Sequence, residues 1–195
     1  MKEDREYRSM ELMAPEENSY KVEGYASTFL PYTLFVNEDG IEIKEQIMPD
    51  AFEGADMSDV VFRVDHAGRV YARSSAGTIE LFTDEHGLGQ RTDLSRTQGA
   101  RDLYEDIAAG NYPKMSFAFR VAEDHYDKAT HTRIIDRIAK VFDISPVSFP
   151  ANPTTELSVS TRSFLEGVIK EELAERLTEE KRIKQRQRIK ILSEV

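Results

Sequence analysis

The chain has 195 residues, of which 39% are hydrophobic and 32% are charged, and its formal net charge at pH 7 is −10. This length allows one substantial core with an appendage. No apolar run approaches the ~20 residues of a membrane span, and the absence of cysteine excludes disulfides, thiol catalysis and thiolate zinc sites. Residues 1–162 carry 18 Lys and Arg against 29 Asp and Glu. We therefore expect neither a nucleic acid nor a membrane as partner.

Short stretches of alternating polar and apolar residues predict β-strands along most of the chain. A helix is predicted over residues 100–109, with Thr97 as N-cap and Gly110 as the C-terminal stop. This pattern favours a mainly β fold with flanking helices (α+β), arranged as a barrel or a sandwich. The predicted strands are residues 5–13, 19–29, 41–45, 60–66, 78–82, 88–94, 112–121 and 132–147.

The composition changes near residue 163, where apolar residues begin to recur at helical spacing without a glycine or proline after Gly167. We predict an amphipathic helix that is acidic in its first half and basic from Lys181 to Lys190. The expected organisation is one domain over residues 1–157, followed by a linker and a C-terminal helical tail over 158–195. Two interpretations of the tail stay open: a helix that packs or is solvated, and a detachable segment that binds a partner.

The predicted strand 112–121 places Ser116 on a stiff element, opposite an apolar face that includes Met115 and Phe117. Such support suits a nucleophile, because catalytic groups tolerate little displacement. Taken alone, the position fits a small polar residue on a half-buried strand equally well. Ser116 becomes a candidate because His66 lies 50 residues before it and Asp143 lies 27 residues after it, each in its own predicted strand.

The order histidine, serine, acid differs from that of the chymotrypsin-like, subtilisin-like and α/β-hydrolase triads, and the chain has no Gly-x-Ser-x-Gly elbow. A different scaffold is required. Four regions, taken in order, resemble the phage prohead (capsid maturation) proteases found with HK97-like capsids, which are related in fold to herpesvirus assemblins. These regions are Gly24–Phe29, Glu45–Phe52, Val64–Arg69 with Gly87–Leu88, and Lys114–Phe119 with Ile144–Pro153.

The resemblance implies an assemblin-like β-barrel with serine endopeptidase activity and no cofactor. At the matching positions Ser116 is the expected nucleophile and His66 the general base. Asp143 is the expected third member, where the family often has glutamate. By analogy with assemblins, the backbone around Ala151 and Asn152 is a candidate oxyanion donor, and a simple Pro-rich connector is its alternative.

The expected substrate is a scaffold protein, or the scaffold domain of the major capsid protein, together with the enzyme itself. Cleavage would take place inside assembling proheads in the host cytoplasm. The C-terminal helix could in addition join two copies of the chain. The alternative function is a catalytically idle capsid-assembly or scaffolding module on the same fold.

Serine, histidine and acid also make chemical sense together, because a neutral histidine can activate a serine hydroxyl near pH 7 and needs an orienting acceptor. Asp65 is adjacent to His66 in a predicted strand, so the two side chains point to opposite faces. Asp136 lies roughly 23 Å from Asp143 along an extended strand, so only one of them fits. We favour Asp143, which abuts the family-like motif, with structural ion pairing as its alternative role.

The other three histidines do not predict a metal site. They lie in or beside two predicted turns, and neither group has a third ligand at motif spacing. We interpret them as solvated turn residues. They are His86, which lies near Asp84, and the pair His125 and His131.

Overall fold

The computed structural model describes residues 5–11, 19–37, 39–148 and 159–193. These residues form ten strands and two α-helices, α1 (Gln98–Ala108) and α2 (Val159–Ser193). The predicted mainly β class with flanking helices is therefore confirmed. The strands are β1 (Glu6–Glu11), β2 (Lys21–Thr28), β3 (Tyr32–Val36), β4 (Glu42–Ile47), β5 (Val61–Arg63), β6 (Val70–Arg73), β7 (Ile79–Thr83), β8 (Gly87–Asp93), β9 (Lys114–Asp127) and β10 (Thr132–Val147).

The strands are divided between two sheets. The larger has seven strands in the order β1-β9-β10-β4-β3, with β5 on β10 and β6 on β5, and the smaller has the order β2-β8-β7. Strand β10 is long and contains several register shifts, so its first part pairs in parallel with β4 and its last part with β5. Within the described residues the ladders end in open edges rather than closing into the expected barrel. The assemblin-like relationship stays a prediction.

The sequence places helix α1 correctly, and its ends have the expected chemistry. Thr97 accepts a hydrogen bond at its side-chain oxygen from the backbone N–H of Ala100, at 3.2 Å. Beyond the helix, Gly110 adopts a φ of 80°, a left-handed conformation that glycine tolerates without steric cost. Leu103 and Ile107 are buried on the inner face of the helix.

The predicted strand 60–66 is shorter than expected, because β5 ends at Arg63. Asp65 and His66 have φ values of 47° and 54°, and a left-handed backbone cannot continue a strand. The turn closes through the N–H of Ala67, which donates to the carbonyl of Val64 at 3.0 Å. His66 therefore projects from a tight turn and not from a strand.

The core includes both faces of β9 around the candidate serine. Met115, Phe117 and Phe119 are fully buried as predicted, and Ser116 on the opposite face is also 0% exposed. The rings of Phe117 and Phe119 stack with their centroids 4.5 Å apart. Strand β9 is paired on both sides and covered on both faces, which makes the support of Ser116 stiffer than the sequence pattern indicated.

A buried ionic cluster joins β1, β4 and β10. Glu45, which is 0% exposed, accepts hydrogen bonds from Arg8 at 2.5 and 2.7 Å and from Arg133 at 2.9 Å. Glu6 bonds to the same two arginines, at 2.8 Å from Arg8 and 2.5 Å from Arg133. Burial alone raises the pKa of Glu45, but the two guanidinium groups outweigh it and hold that pKa below its ordinary value. The cluster fastens the N-terminal strand to the sheet.

The tail forms a compact unit of its own, Val159–Val195, separate from Met1–Ser158. Its helix begins at Val159, so residues 159–163 are helical where an extended linker was expected. The segment contains no glycine or proline, and its Ser, Thr and Val residues lower helix propensity only slightly. The predicted boundary between residues 157 and 158 stays a prediction.

The apolar stripe predicted for the tail is confined to the first part of helix α2. Leu165 and Ile169 are each 1% exposed, whereas the side chains from Ala174 to Arg186 are all exposed. Among the latter, Leu177 and Ile183 are 58% and 47% exposed. Neither α1 nor α2, over the residues described, is long and apolar enough to cross a lipid bilayer.

We predict that Glu45→Gln lowers the free energy of unfolding by about 3–5 kcal/mol, because removing one partner of a buried ion pair leaves the others uncompensated. Urea unfolding of the full chain measures this. The matched control is Glu123→Gln, whose partner Arg137 lies at 3.0 Å in a pair that is 60% exposed on both sides. It should cost no more than about 1 kcal/mol, and equal effects of the two variants would contradict the assigned role of the cluster.

The effect should depend on pH. The folded-state pKa of Glu45 is lowered, so its contribution to stability is present above the ordinary glutamate value of about 4.3 and is lost as the pH falls through the folded-state value. The difference in unfolding free energy between wild type and Glu45→Gln should therefore shrink in acid. A difference that grows below about pH 4 would contradict this.

Candidate active site

His66 is held in place by the turn that follows β5. The carboxylate of Asp65 accepts hydrogen bonds from the backbone N–H of Ser148 at 3.0 Å and from its hydroxyl at 2.9 Å. The N–H of Asp65 donates to the carbonyl of Pro146 at 3.1 Å. Asp65 therefore ties the histidine turn to the end of β10 and is not a partner of the imidazole. The sequence excluded Asp65 correctly but for a different reason, since the two residues lie in a turn.

Ser116 and Asp143 come together through the register of β9 and β10. Ser116 lies opposite Ser145, and Asp143 lies opposite Ala118. Opposed residues of an antiparallel pair project to the same face, as do residues two apart in one strand. Ser116, Ser145 and Asp143 therefore share one face of the sheet.

The imidazole of His66 bridges the serine and the aspartate. Its Nε2 lies 2.7 Å from the hydroxyl oxygen of Ser116, and its Nδ1 lies 2.5 Å from Oδ1 of Asp143. The structure thus brings together all three residues that the sequence nominated. With a proton on Nδ1 donated to Asp143, Nε2 has a lone pair directed at the serine hydroxyl, which is the arrangement needed to accept its proton.

Asp143 is completely buried and has two further partners. Arg63 donates to Oδ2 at 2.6 Å, and the hydroxyl of Ser145 donates to Oδ1 at 2.9 Å. Burial alone raises the pKa of the Asp143 carboxyl, but the hydrogen bonds and charges of His66 and Arg63 outweigh burial and leave that pKa below its ordinary value. The carboxylate is therefore ionised and available as an acceptor at neutral pH.

Tyr7 of β1 forms one wall around the histidine. The Tyr7 and His66 rings meet edge to face, with centroids 4.5 Å apart and planes at 62°. The His66 side chain is only 12% exposed. Strand β1 pairs with β9 across the Ser116 segment, so the N-terminal strand contributes both to the support of Ser116 and to the packing of His66.

Sequence reasoning missed Arg63, Ser145 and Tyr7. Arg63 lies three residues before His66, but its contact with Asp143 arises from the parallel pairing of β5 with β10, in which Asp143 is opposite Val61. The position of Tyr7 follows from the pairing of β1 with β9. No local pattern marks either contact. Ser145 could have been found, because it lies two residues after Asp143 and alternation places both on one face.

Other candidates lie elsewhere. Asp136 is half-exposed and pairs with His125 at 2.5 Å, away from His66. His86 lies 3.6 Å from Asp84 in its turn. Ala151 and Asn152 lie outside the described residues. Within the part of the chain that the structure describes, no three His, Asp or Glu side chains cluster as metal ligands would.

Comparison with known proteins follows from this geometry. The family model of the caudovirus prohead serine proteases matches residues 8–168, a range that contains Ser116, His66 and Asp143. No curated protein and no solved structure matches the chain. The matched range covers most of the chain and agrees with the family that the four motif regions indicated. The chain belongs to the caudovirus prohead serine protease family.

Proposed function

We propose that the chain is a serine endopeptidase that cleaves a scaffold protein, or the scaffold domain of a capsid protein, during prohead maturation. Family membership carries the broader statement that it is a serine protease of capsid maturation, acting inside assembling proheads. The proposal adds the roles of individual residues: Ser116 as nucleophile, His66 as general base and Asp143 as the acceptor that orients His66. It also adds self-cleavage and the host cytoplasm as the setting.

The observation that carries the proposal is the continuous relay from Ser116 through His66 to Asp143, with contacts of 2.7 and 2.5 Å. Both distances lie within the range of working hydrogen bonds. The buried acid is ionised, which suits a group that must stabilise an imidazolium as it forms. A scaffolding module without activity needs none of these features.

In the first step, the Ser116 oxygen attacks the carbonyl carbon of the scissile peptide while its proton passes to Nε2 of His66. The carbonyl π electrons move to oxygen and form the tetrahedral oxyanion. When the intermediate collapses, His66 returns the proton to the leaving amine and an ester to Ser116 remains. Water, activated by the same histidine, then hydrolyses the ester. The donors for the oxyanion stay a prediction, with the backbone around Ala151 and Asn152 as the candidate.

The substrate follows from the family, whose printed description is a prohead protease. The strongly acidic body, with 29 Asp and Glu against 18 Lys and Arg in residues 1–162, favours basic segments of a scaffold as targets. The tail is proposed as the part that recruits the precursor or a second copy. Its exposed Leu177 and Ile183 and its basic stretch after Glu180 support this role.

Ser116→Ala should lower the rate of substrate cleavage by on the order of 10⁶, and His66→Ala should do the same, because residues of a triad act as a unit. Labelling by a fluorophosphonate serine probe and cleavage of the co-expressed capsid or scaffold precursor measure this. Ser75→Ala, an exposed serine, is the matched control and should behave as wild type. Wild-type protein that is never labelled would favour the idle module.

Asp143→Asn should lower kcat by on the order of 10⁴, less than the loss of the serine or the histidine, because an amide stabilises the wrong histidine tautomer. Asp136→Asn is the matched control, since Asp136 pairs with His125 on the surface. Comparison of the two cleavage rates at pH 7 tests the choice of acid. A greater loss at Asp136 would move the third role to that residue.

The active enzyme should shorten itself near residues 158–163. Because residues 159–163 are helical and a protease binds its substrate extended, a cut within them requires the first turns of α2 to unwind. Intact mass after prolonged incubation should reveal truncated wild type and full-length Ser116→Ala. Identical full-length masses for both would contradict self-cleavage.

A further inference from the structure

The two oxygens of the Asp143 carboxylate have different partners. Oδ1 receives His66 Nδ1 at 2.5 Å and the Ser145 hydroxyl at 2.9 Å, whereas Oδ2 receives the guanidinium of Arg63 at 2.6 Å. Arg63 thus binds the oxygen that the histidine leaves free. Its own side chain is 21% exposed, so this charge lies largely inside the protein.

The burial of Asp143 creates the need for such a cation. Its side chain is 0% exposed, and a buried carboxylate without a compensating charge takes up a proton rather than staying ionised. The titratable groups that face it in the described residues are His66, from the turn after β5, and Arg63, from β5. On β9 the residue opposite Asp143 is Ala118, which carries no charge. A resting base is neutral, so at that stage Arg63 supplies the positive charge.

We propose that Arg63 is a positioning residue that keeps Asp143 an ionised acceptor while His66 is neutral and ready to accept the serine proton. This inference rests on the proposed function and extends it to a fourth residue. Arg63 does not contact Ser116, so it acts only through Asp143. If Asp143 took up a proton it would become a donor, and the tautomer with a free lone pair on Nε2 would lose its support.

The geometry of Arg63 argues against a role in stability alone. Its Nε is buried and has no hydrogen-bond partner among the described residues, and an unsatisfied buried donor destabilises the fold. A purely structural position would tolerate an apolar side chain better than a half-satisfied arginine. The retained cost is understandable if the charge serves the carboxylate.

The test is the rate of fluorophosphonate labelling of the full chain from pH 5 to pH 9, with Ser116→Ala as the blank. Arg63→Met and Arg63→Gln remove the charge, Arg63→Lys keeps it, and Ser145→Ala removes a hydrogen bond to the same carboxylate without changing charge. Arg73→Met is the matched arginine control, because Arg73 forms an exposed pair with Asp59 at 3.4 Å. Urea unfolding at each pH checks that every variant is folded.

Loss of the cation should let the Asp143–His66 pair take up its proton at higher pH, and that titration belongs to the pair rather than to either residue. The acid limb of the labelling profile should move upward by about one pH unit or more in Arg63→Met and Arg63→Gln. On that limb each unit is about a tenfold loss of rate, with recovery at alkaline pH. Arg63→Lys should keep the limb within about half a unit of wild type, and Ser145→Ala should move it less than Arg63→Met.

Several outcomes would overturn the inference. A wild-type profile in Arg63→Met or Arg63→Gln would do so, as would an equal, pH-independent loss in the neutral variants and in Arg63→Lys. If the neutral variants do not fold, Arg63→Lys decides, and a limb shifted by a full unit or more despite the retained charge counts against the proposal. Failure of the proposed function looks different, because wild type itself would then remain unlabelled.

Discussion

Ser116 and Ser145 face each other across β9 and β10, with Asp143 two residues further along the same strand. A slip of one residue in this pairing would turn Asp143 to the opposite face of the sheet and separate it from His66. The register is therefore the constraint on which the site depends. The irregularities of β10 lie before Asp143, and none interrupts the pairing from Asp143 to Val147. The regular end of the strand thus carries the site, while the irregular part lets β10 change partners from β4 to β5.

Two buried acids organise this sheet, and both are neutralised by arginines from neighbouring strands. Glu45 is bound by Arg8 and Arg133, which fastens the N-terminal strand to the sheet. Asp143 is bound by Arg63 and His66, which prepares the proposed proton relay. The principle is the same in both places, since a buried carboxylate stays charged only with a charged or hydrogen-bonded partner. The consequences differ, because only Asp143 has a neutral, titratable base beside it.

The N-terminal strand connects these two clusters. Arg8 and Glu6 enter the ionic cluster, while Tyr7 between them points to the other face and packs on His66. Alternation along one short strand therefore couples the anchoring of the sheet to the packing of the proposed base. This coupling is a property of β1 that no catalytic motif contains, and it explains why the wall of the site comes from residues so far from Ser116 in sequence.

The sequence by itself determined the mainly β class, helix α1 with its Thr97 cap, the buried face of β9 and the three residues that meet in the site. These features depend on local alternation, capping chemistry and short motifs, all of which can be recognised in one dimension. It misjudged the strand through His66, since a left-handed turn at Asp65 and His66 has no strong local signature, and it predicted an extended linker where α2 already begins.

Only the tertiary structure decided that Asp143 and not Asp136 reaches the histidine, that the sheets stay open over the described residues, and that Arg63, Ser145 and Tyr7 surround the relay. Each of these follows from pairing between distant strands: β5 with β10 brings Arg63 to Asp143, and β1 with β9 brings Tyr7 to His66. Strand pairing depends on the burial of whole faces and on register shifts along β10, which are properties of the assembled sheet. A single sequence records the side chains that take part in these contacts, but the partner of each one is chosen by the packing of the complete fold.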